Sequence, residues 1–167
     1  MIELTKGSVT LGGLTVEPFS VSHDAADPIG INVFAGNDKA TVVTNTGVIS
    51  DDILRRLDDT TLLVLEDYDP HMLRFGPYQP FLKQRVASDE GHLSNEMAAQ
   101  ALLMMKRPNF MQVILAHRSE NNNNAVLVTQ TIGKMLVDGG VRIGPEMKLQ
   151  HGQPNEIVSI QSVKREK

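Results

Sequence analysis

The stretch Thr61-Leu62-Leu63-Val64-Leu65-Glu66 decides how this chain folds. Residues 61–65 form a continuous run of strand length with mostly apolar side chains, which is typical of a strand covered on both faces. The run ends at Glu66, and a second such run, Phe110–Ala116, is followed in the same way by His117. In open α/β sheets the functional groups collect at one edge, where strands end and loops begin, so these strand ends predict a site.

The stretch Gly91-His92-Leu93-Ser94-Asn95-Glu96 lies between the two runs and adds a third candidate group. Ser94 predicts the N-cap of a helix that ends before Pro108. Because a helix N-terminus attracts anions, His92 is placed to meet a phosphate and to protonate a leaving oxygen. A surface histidine beside a helix cap is the alternative, and the pattern leaves both open.

His23 and His117 each follow a strand-like run and are candidate metal ligands. Imidazole is the commonest protein ligand for zinc, and a catalytic metal needs nitrogen and oxygen donors with one open position. Either histidine alone fits a hydrogen-bonded surface residue better than a ligand. Two histidines at like positions on one sheet edge indicate a shared metal site.

Asn45 and Glu66 carry oxygen donors at the same set of strand ends. Asn45 stands where a dimetal site needs a bridging carboxylate, but its amide is neutral and cannot offset two dications. A turn residue before Gly47 is therefore the favoured interpretation of Asn45. Glu66 can orient a histidine or couple to its charge, and an ordinary loop carboxylate is the alternative.

The composition excludes several classes of protein. The 167 residues include 41% hydrophobic and 22% charged side chains, which is ordinary for a globular protein. The net charge of −4, with only five Phe and two Tyr, argues against a broad basic surface or an aromatic stacking platform for nucleic acid. The lack of cysteine leaves His, Asp and Glu as the strong metal ligands and fits a cytoplasmic protein.

The remaining pattern indicates an α/β layered fold in a single domain, residues 1–167. It predicts a hairpin around Gly12-Gly13 and a helix after Ser50. The proline-bearing segment from Glu66 to about Ser88 is long for a loop, which favours a function or short helices of its own. Within it lie Arg74, Lys83 and Arg85, which form either a local phosphate-binding patch or a solvated basic loop.

Two features are predicted near the carboxyl terminus. The run Asn121–Asn124 is interpreted as turn sequence that caps the following helix, which Gly139-Gly140 ends. Val141–Ile143 and Ile157–Val163 are predicted to pair as late strands.

Five blocks of the sequence resemble the metallo-β-lactamase-fold hydrolases of the YycJ/WalJ type. The blocks are VSHDAADPIG (21–30), LLVLE (62–66), MLRFGPY (72–78), LKQRVASDEGHLSNE (82–96) and LAHRSENNN (115–123). The resemblance covers roughly residues 6–137 and corresponds to the second half of the family's domain. It implies the second half of an αββα sandwich whose metals sit between two sheets.

The resemblance also implies roles for the candidate residues. His23 and His117 correspond to metal ligands, and His92 with Glu66 to the histidine–glutamate pair of the related tRNA 3′-processing endonucleases, where the histidine helps to protonate the leaving group. The complete family domain holds a dinuclear Zn²⁺ or Mn²⁺ site. Members are regarded as metal-dependent phosphodiesterases, with exonuclease activity on DNA attributed to this type.

The sequence departs from the family pattern at three places. The H-x-H-x-D-H motif is missing, Asn45 replaces the bridging aspartate, and Asp67-Tyr68-Asp69 replaces the usual Ala-Asn-His after Glu66. We therefore expect the chain alone to be inactive, with a complementary N-terminal half or a homodimer as partner. A half domain also leaves a sheet face uncovered as a large apolar patch. A non-catalytic binding or assembly module derived from the fold is the alternative function.

Overall fold

The computed structural model describes residues 7–117, 121–152 and 157–160, which build one seven-stranded sheet with its helices. The strands are β1 Val9–Leu11, β2 Leu14–Ser20, β3 Ile29–Ala35, β4 Asp38–Val43, β5 Leu62–Leu65, β6 Met111–Leu115 and β7 Met147–His151. The helices are α1 Asp51–Leu57, α2 Pro70–Phe75, α3 Pro80–Val86, α4 Asn95–Met104, α5 Ala125–Val128 and α6 Lys134–Asp138, and the π-helical turn Thr129–Gly133 joins the last two. The predicted α/β fold is confirmed. None of the described helices is both long and apolar enough to cross a membrane.

The strands follow one another across the sheet in chain order. The first four are antiparallel, and the β1–β2 turn is Gly12-Gly13, whose φ angles of 55° and 87° suit glycine. From β4 to β7 neighbouring strands are parallel, with helices in the connections. The carboxyl ends of β4, β5 and β6 therefore meet at one edge of the sheet, as expected of parallel strands.

One face of the sheet is covered by helices and holds the hydrophobic core. Leu63 and Leu65 of β5 lie beside Val113 and Leu115 of β6, and all four side chains are buried. The helical side contributes the core side chains Ile53, Leu57, Ala98, Ala101, Leu102, Ile132 and Leu136. Ser50 and Ser94 begin α1 and α4 as predicted, because each hydroxyl accepts a hydrogen bond from a backbone N–H of the first turn.

The core approaches the backbone of β3 closely at Gly30. A Cβ built at this position would lie 2.4 Å from the ring of Phe19, the cross-strand neighbour on β2. A side chain at position 30 would therefore displace this ring. Because glycine has no side chain, the Phe19 ring occupies the space above its backbone.

The opposite face of the sheet, which we call the open sheet face, is apolar and only partly covered. Its residues pair across β2 to β5 and are Val16, Ile31, Val33, Ala40, Val42, Leu62 and Val64. All remain half-buried or exposed, and Val42 is 38% exposed. The prediction that residues 61–65 are covered on both faces is wrong, because buried and half-buried side chains alternate along β5.

The last strand also differs from the prediction. Val141–Ile143 is not a strand, residues 157–160 have no regular structure, and residues 161–163 lie outside the described part of the chain. The strand is instead β7, which pairs with β6 in parallel. Met147 and Leu149 contact the core while the intervening side chains are polar, so alternation marks this strand rather than an apolar run.

Two leucines that follow each other on β5 provide a test of this two-faced sheet. Leu63→Ala should lower the free energy of unfolding by about 2–5 kcal/mol, because it leaves a cavity in the covered core. Leu62→Ala on the open sheet face should cost less than about 1.5 kcal/mol, because that side chain already contacts solvent. Urea unfolding followed by circular dichroism measures both. Equal losses would contradict the described difference between the two faces.

Candidate metal centre

Glu66, directly after β5, is the buried anchor of the candidate site and is only 1% exposed. Its Oε1 accepts a hydrogen bond from the Thr46 backbone N–H at 2.8 Å, which ties the loop after β4 to the end of β5. Its Oε2 lies 2.8 Å from Nδ1 of His92 and 3.1 Å from Nδ1 of His117. One carboxylate therefore binds three separate loops at the sheet edge.

The pKa of Glu66 follows from these contacts. Burial alone would raise it, but the hydrogen bonds from His117, His92 and the Thr46 backbone outweigh burial and lower the pKa to about 2. The same contact raises the pKa of His117, against the opposing effect of its partial burial. Glu66 is therefore an ionised carboxylate at neutral pH, and it favours the protonated form of His117.

Three imidazoles around Glu66 are held in a common manner. An ionised carboxylate only accepts hydrogen bonds, so His92 and His117 each donate from Nδ1. In this tautomer the lone pair that can bind a metal ion is on Nε2. His23 places Nδ1 3.1 Å from the backbone oxygen of Gly91, which fixes the same tautomer. Its Nε2 lies 3.5 Å from Oδ1 of Asp24. An Nδ1–H held by a carboxylate or carbonyl is the usual support of a metal-binding histidine.

The spacing of the rings fits a metal ion. The ring centroids of His23 and His92 lie 5.3 Å apart, and those of His92 and His117 lie 5.6 Å apart. Two imidazoles that bind one tetrahedral zinc at about 2.0–2.1 Å have centroids roughly 5 Å apart. Ligand atoms of Glu66, His92 and His117 all lie within 4.8 Å of one another. The residues present therefore fit a divalent cation.

The structure brings together most of the residues that the sequence predicts for the site. The His92 ring lies between those of His23 and His117. The side chain of His23 is 13% exposed, that of His92 26% and that of His117 49%. The tight group contains His92 and Glu66, predicted as the catalytic pair, together with His117. His23, predicted as a metal ligand, lies one ring further along and outside that group.

Asn45 adopts the geometry of a turn residue. Its φ of 57° is left-handed, a conformation that asparagine tolerates better than most residues. The next residue, Thr46, gives its N–H to Glu66, so Asn45 lies at the same edge as the histidines.

Two of the basic side chains predicted for a phosphate patch have partners in the protein. Arg85 forms a paired contact with Asp24, in which Nη2 lies 2.9 Å from Oδ1. Lys83 donates to the backbone oxygen of Arg74 at 2.7 Å. The first contact joins α3 to the loop of His23, so the segment after Glu66 borders the site, and it contains the short helices that the sequence allowed.

Sequence reasoning missed a buried polar cluster beside the site. Asp67, Asn95 and Asn123 are each 3% exposed or less and hydrogen-bond to one another. The turn interpretation of Asn121–Asn124 holds for Asn124, whose Oδ1 accepts from Leu127 N at 3.0 Å and caps α5. The sequence position of Asp67 and Asn95 could have pointed to this cluster, because each lies within three residues of a predicted site residue.

The chain is similar in sequence to proteins of known name. The chain is 34% identical over 155 residues to exodeoxyribonuclease YycJ of Bacillus anthracis, a match covering 92% of this chain and 59% of that protein. It is 30% identical over 155 residues to exodeoxyribonuclease WalJ of Streptococcus pneumoniae, covering 92% of this chain and 58% of that protein. These matches confirm the YycJ/WalJ-type metallo-β-lactamase-fold assignment. The chain thus spans less than two thirds of the length of both relatives, and no family model matches it.

Solved structures share the fold at low sequence identity. The metallo-β-lactamase-fold protein YhfI of Bacillus subtilis matches with a TM-score of 0.62 and 11% identity, over 91% of this chain and 52% of that one. Zinc-bound PqqB of Methylobacterium extorquens matches with a TM-score of 0.54 and 16% identity, over 90% and 49%. The single sheet with helices on one face is therefore part of a metallo-β-lactamase fold.

The pKa of Glu66 predicts a pH-dependent stability in the metal-free protein. Because folding lowers this pKa from its ordinary 4.5 to about 2, the contribution is present above pH 4.5 and is lost as pH falls through about 2. Glu66→Gln should therefore reduce the free energy of unfolding by roughly 3 kcal/mol at pH 6 and by about half as much at pH 3. Urea unfolding at both pH values measures the difference.

Glu90→Gln provides the control for this experiment, because Glu90 is exposed. That substitution should change the free energy of unfolding by no more than about 0.5 kcal/mol at either pH. A Glu66→Gln effect of equal size at pH 6 and pH 3 would show that the carboxylate is not held ionised by its three donors.

Proposed function

We propose that this chain carries part of the active site of a metal-dependent phosphodiesterase that acts on DNA as an exonuclease. The observation that carries the proposal is the set of three neighbouring imidazoles, each held through Nδ1, beside the ionised Glu66. The two curated relatives are named exodeoxyribonucleases, which supports DNA as the substrate class.

In this proposal His23 and His117 hold a divalent cation, Zn²⁺ or Mn²⁺, through Nε2. When bound, the cation would supply an activated water and offset charge on the phosphodiester. Asn45 contributes at most a neutral oxygen in place of a bridging carboxylate. The resident donors therefore leave the dinuclear site of the family incomplete.

His92 is the proton donor in this proposal, and Glu66 is its support. His92 is partly exposed, so its Nε2 can reach a substrate, while Nδ1 is held 2.8 Å from the buried carboxylate. A protonated His92 would give the Nε2 proton to the leaving oxygen of the cleaved phosphodiester. Glu66 offsets the charge of the imidazolium before transfer and keeps the ring in one orientation afterwards.

We further propose that the chain corresponds to the C-terminal half of the enzyme and cleaves DNA only with a complementary polypeptide that supplies the missing H-x-H-x-D-H ligands. The resemblance of this chain to the second half of the family's domain motivates this proposal. The open sheet face supports it as well, because an apolar sheet surface of this kind is suited to packing against a second sheet.

Substitutions of two histidines separate the roles of proton donor and metal ligand. His117→Ala should weaken binding of Mn²⁺ or Zn²⁺ to the chain at least tenfold in calorimetric titration, because it removes a ligand. His92→Ala should slow cleavage about 10²–10⁴-fold beyond any loss of metal affinity, because it removes the proton donor. Cleavage is measured on end-labelled DNA after the chain is mixed with the part of the Bacillus anthracis relative that it does not match.

His71→Ala is the matched control, since His71 is exposed and its ring contacts Phe75 rather than the site. Sustained metal-dependent cleavage by the chain alone would refute the need for a complement. Failure of the chain to bind either metal, together with no cleavage by the mixture, would refute the phosphodiesterase proposal.

The open sheet face favours a second candidate function, a non-catalytic assembly module that associates with a second copy of itself. Seven neighbouring apolar side chains on four strands remain half-buried or exposed there. Contiguous apolar surface of this kind marks interaction sites in soluble proteins. In a homodimer the two open faces would cover each other.

Light scattering during size-exclusion chromatography tests the assembly module. A dimer whose open sheet faces are in contact should dissociate at least tenfold more readily after Val42→Lys, because the charge would be buried. Met104→Lys is the control, because Met104 is 69% exposed on α4, away from the sheet. A chain that stays monomeric at high concentration, or a dimer that Val42→Lys leaves intact, would contradict this function.

A further inference from the structure

Asn123 hydrogen-bonds to residues near Glu66 and His92, and it lies six residues after His117 in the sequence. Its carboxamide donates one hydrogen bond to Oδ1 of Asp67 at 2.6 Å and another to Oδ1 of Asn95 at 2.8 Å. Its own Oδ1 accepts from the backbone N–H of Asn124 at 3.0 Å and from Nδ2 of Asn95 at 3.4 Å. Both donor hydrogens and both acceptor positions of the amide are therefore used.

Each member of this cluster is connected along the chain to one part of the candidate metal centre. Asp67 directly follows Glu66, and Asn95 lies three residues after His92. Asn123 follows His117 by six residues in the sequence. A shift of the Asn123 amide would thus be transmitted to the ends of β5 and β6 and to the start of α4.

Backbone hydrogen bonds join the same three segments. The N–H of Tyr68 donates to the carbonyl of Leu93 at 3.0 Å, and the N–H of Asn95 returns a bond to the carbonyl of Tyr68 at 2.8 Å. The N–H of Asp69 donates to the carbonyl of Asn122 at 2.7 Å. The N–H of Ala116, directly before His117, also donates to the carbonyl of Leu65 at 2.8 Å. The Asn123 side chain therefore adds to these main-chain links between the ends of β5 and β6.

Burial makes these side-chain contacts strong and specific. Asp67, Asn95 and Asn123 are 2%, 0% and 3% exposed, so water cannot replace a lost hydrogen bond without a change in packing. The contact between Asn123 and Asp67 is also short, at 2.6 Å. The amide is therefore held in one orientation.

We propose that Asn123 is a positioning residue for the metal centre, which sets the placement of His117 relative to Glu66 and His92 before any cation binds. The inference rests on the proposed function for its consequence in metal binding, but the positioning itself exists in the metal-free protein. The hydrogen bonds described for the Asn123 side chain go to Asp67, Asn95 and Asn124 rather than to an imidazole. Asn123 acts through the segments of Asp67 and Asn95, to which it is hydrogen-bonded.

The test compares Asn123→Ala with Asn124→Ala in the full chain. Asn124 is the neighbouring residue and caps α5, so its loss destabilises the same loop without removing a bond of the buried cluster. Proton NMR of the metal-free protein reports the Nδ1–H groups of His92 and His117, which give slowly exchanging downfield signals when Glu66 holds them. Calorimetric titration with Zn²⁺ reports the affinity, and thermal melting reports the stability of each variant.

The expected result is that Asn123→Ala broadens or shifts the imidazole signal of His117 and lowers Zn²⁺ affinity about 10–100-fold. Asn124→Ala should lower the melting temperature while leaving both signals and the affinity within about twofold of the parent. Unchanged imidazole signals in Asn123→Ala, with only a lower melting temperature, would assign the residue a purely structural role and overturn the proposal.

Asn95→Ala keeps the inference testable if Asn123→Ala does not fold. It removes one partner of Asn123 and leaves the bond to Asp67, so a weaker change in the same signals is expected. Unchanged imidazole signals in this variant would overturn the proposal. If the parent itself binds no Zn²⁺, the proposed function fails, whereas the NMR comparison still decides the positioning role.

Discussion

The shared use of one buried carboxylate is the interaction on which the site depends. Glu66 accepts from the loop after β4, from His92 in the segment before α4 and from His117 in the segment after β6. A buried charge is costly unless it is fully hydrogen-bonded, and three donors satisfy that requirement. Because the donors come from three separate parts of the chain, the buried carboxylate receives all of these hydrogen bonds only when all three loops are in place.

The sheet explains why these loops can meet. Parallel pairing of β4, β5 and β6 puts their carboxyl ends at one edge, and the long connection after β5 returns to that edge before α4 begins. Left-handed backbone at Asn45 and His117 turns the chain sharply as it leaves β4 and β6. Side chains that leave the sheet at this edge are brought together by topology, and the hydrogen bonds to Glu66 then set their orientation.

Much of this arrangement could be predicted from local patterns. Apolar runs located β5 and β6, serines located the starts of α1 and α4, and the residues that follow the strands located the site. The carboxyl-terminal strand was missed because β7 alternates apolar with polar residues and ends at a histidine, a weaker pattern than an apolar run. The buried Asn123 was missed because an asparagine run is also typical of an exposed turn, and burial depends on which distant segments pack above it.

The contact between His23 and the Gly91 carbonyl could not be predicted for a similar reason. The two residues are distant in sequence, and only the packed loops bring Nδ1 within 3.1 Å of that oxygen. Likewise, β5 was expected to be covered on both faces because both of its faces are apolar. Hydrophobicity indicates that a surface is suited to burial, but it does not identify what buries it.

The open sheet face also has a thermodynamic consequence. The folded chain leaves part of this apolar surface in contact with solvent, so unfolding adds less newly hydrated surface there. The heat-capacity change and the denaturant dependence of unfolding should both be small for a chain of this length. Any polypeptide that covers this face would enlarge both quantities, and its binding free energy would become part of the folding energy of the chain itself.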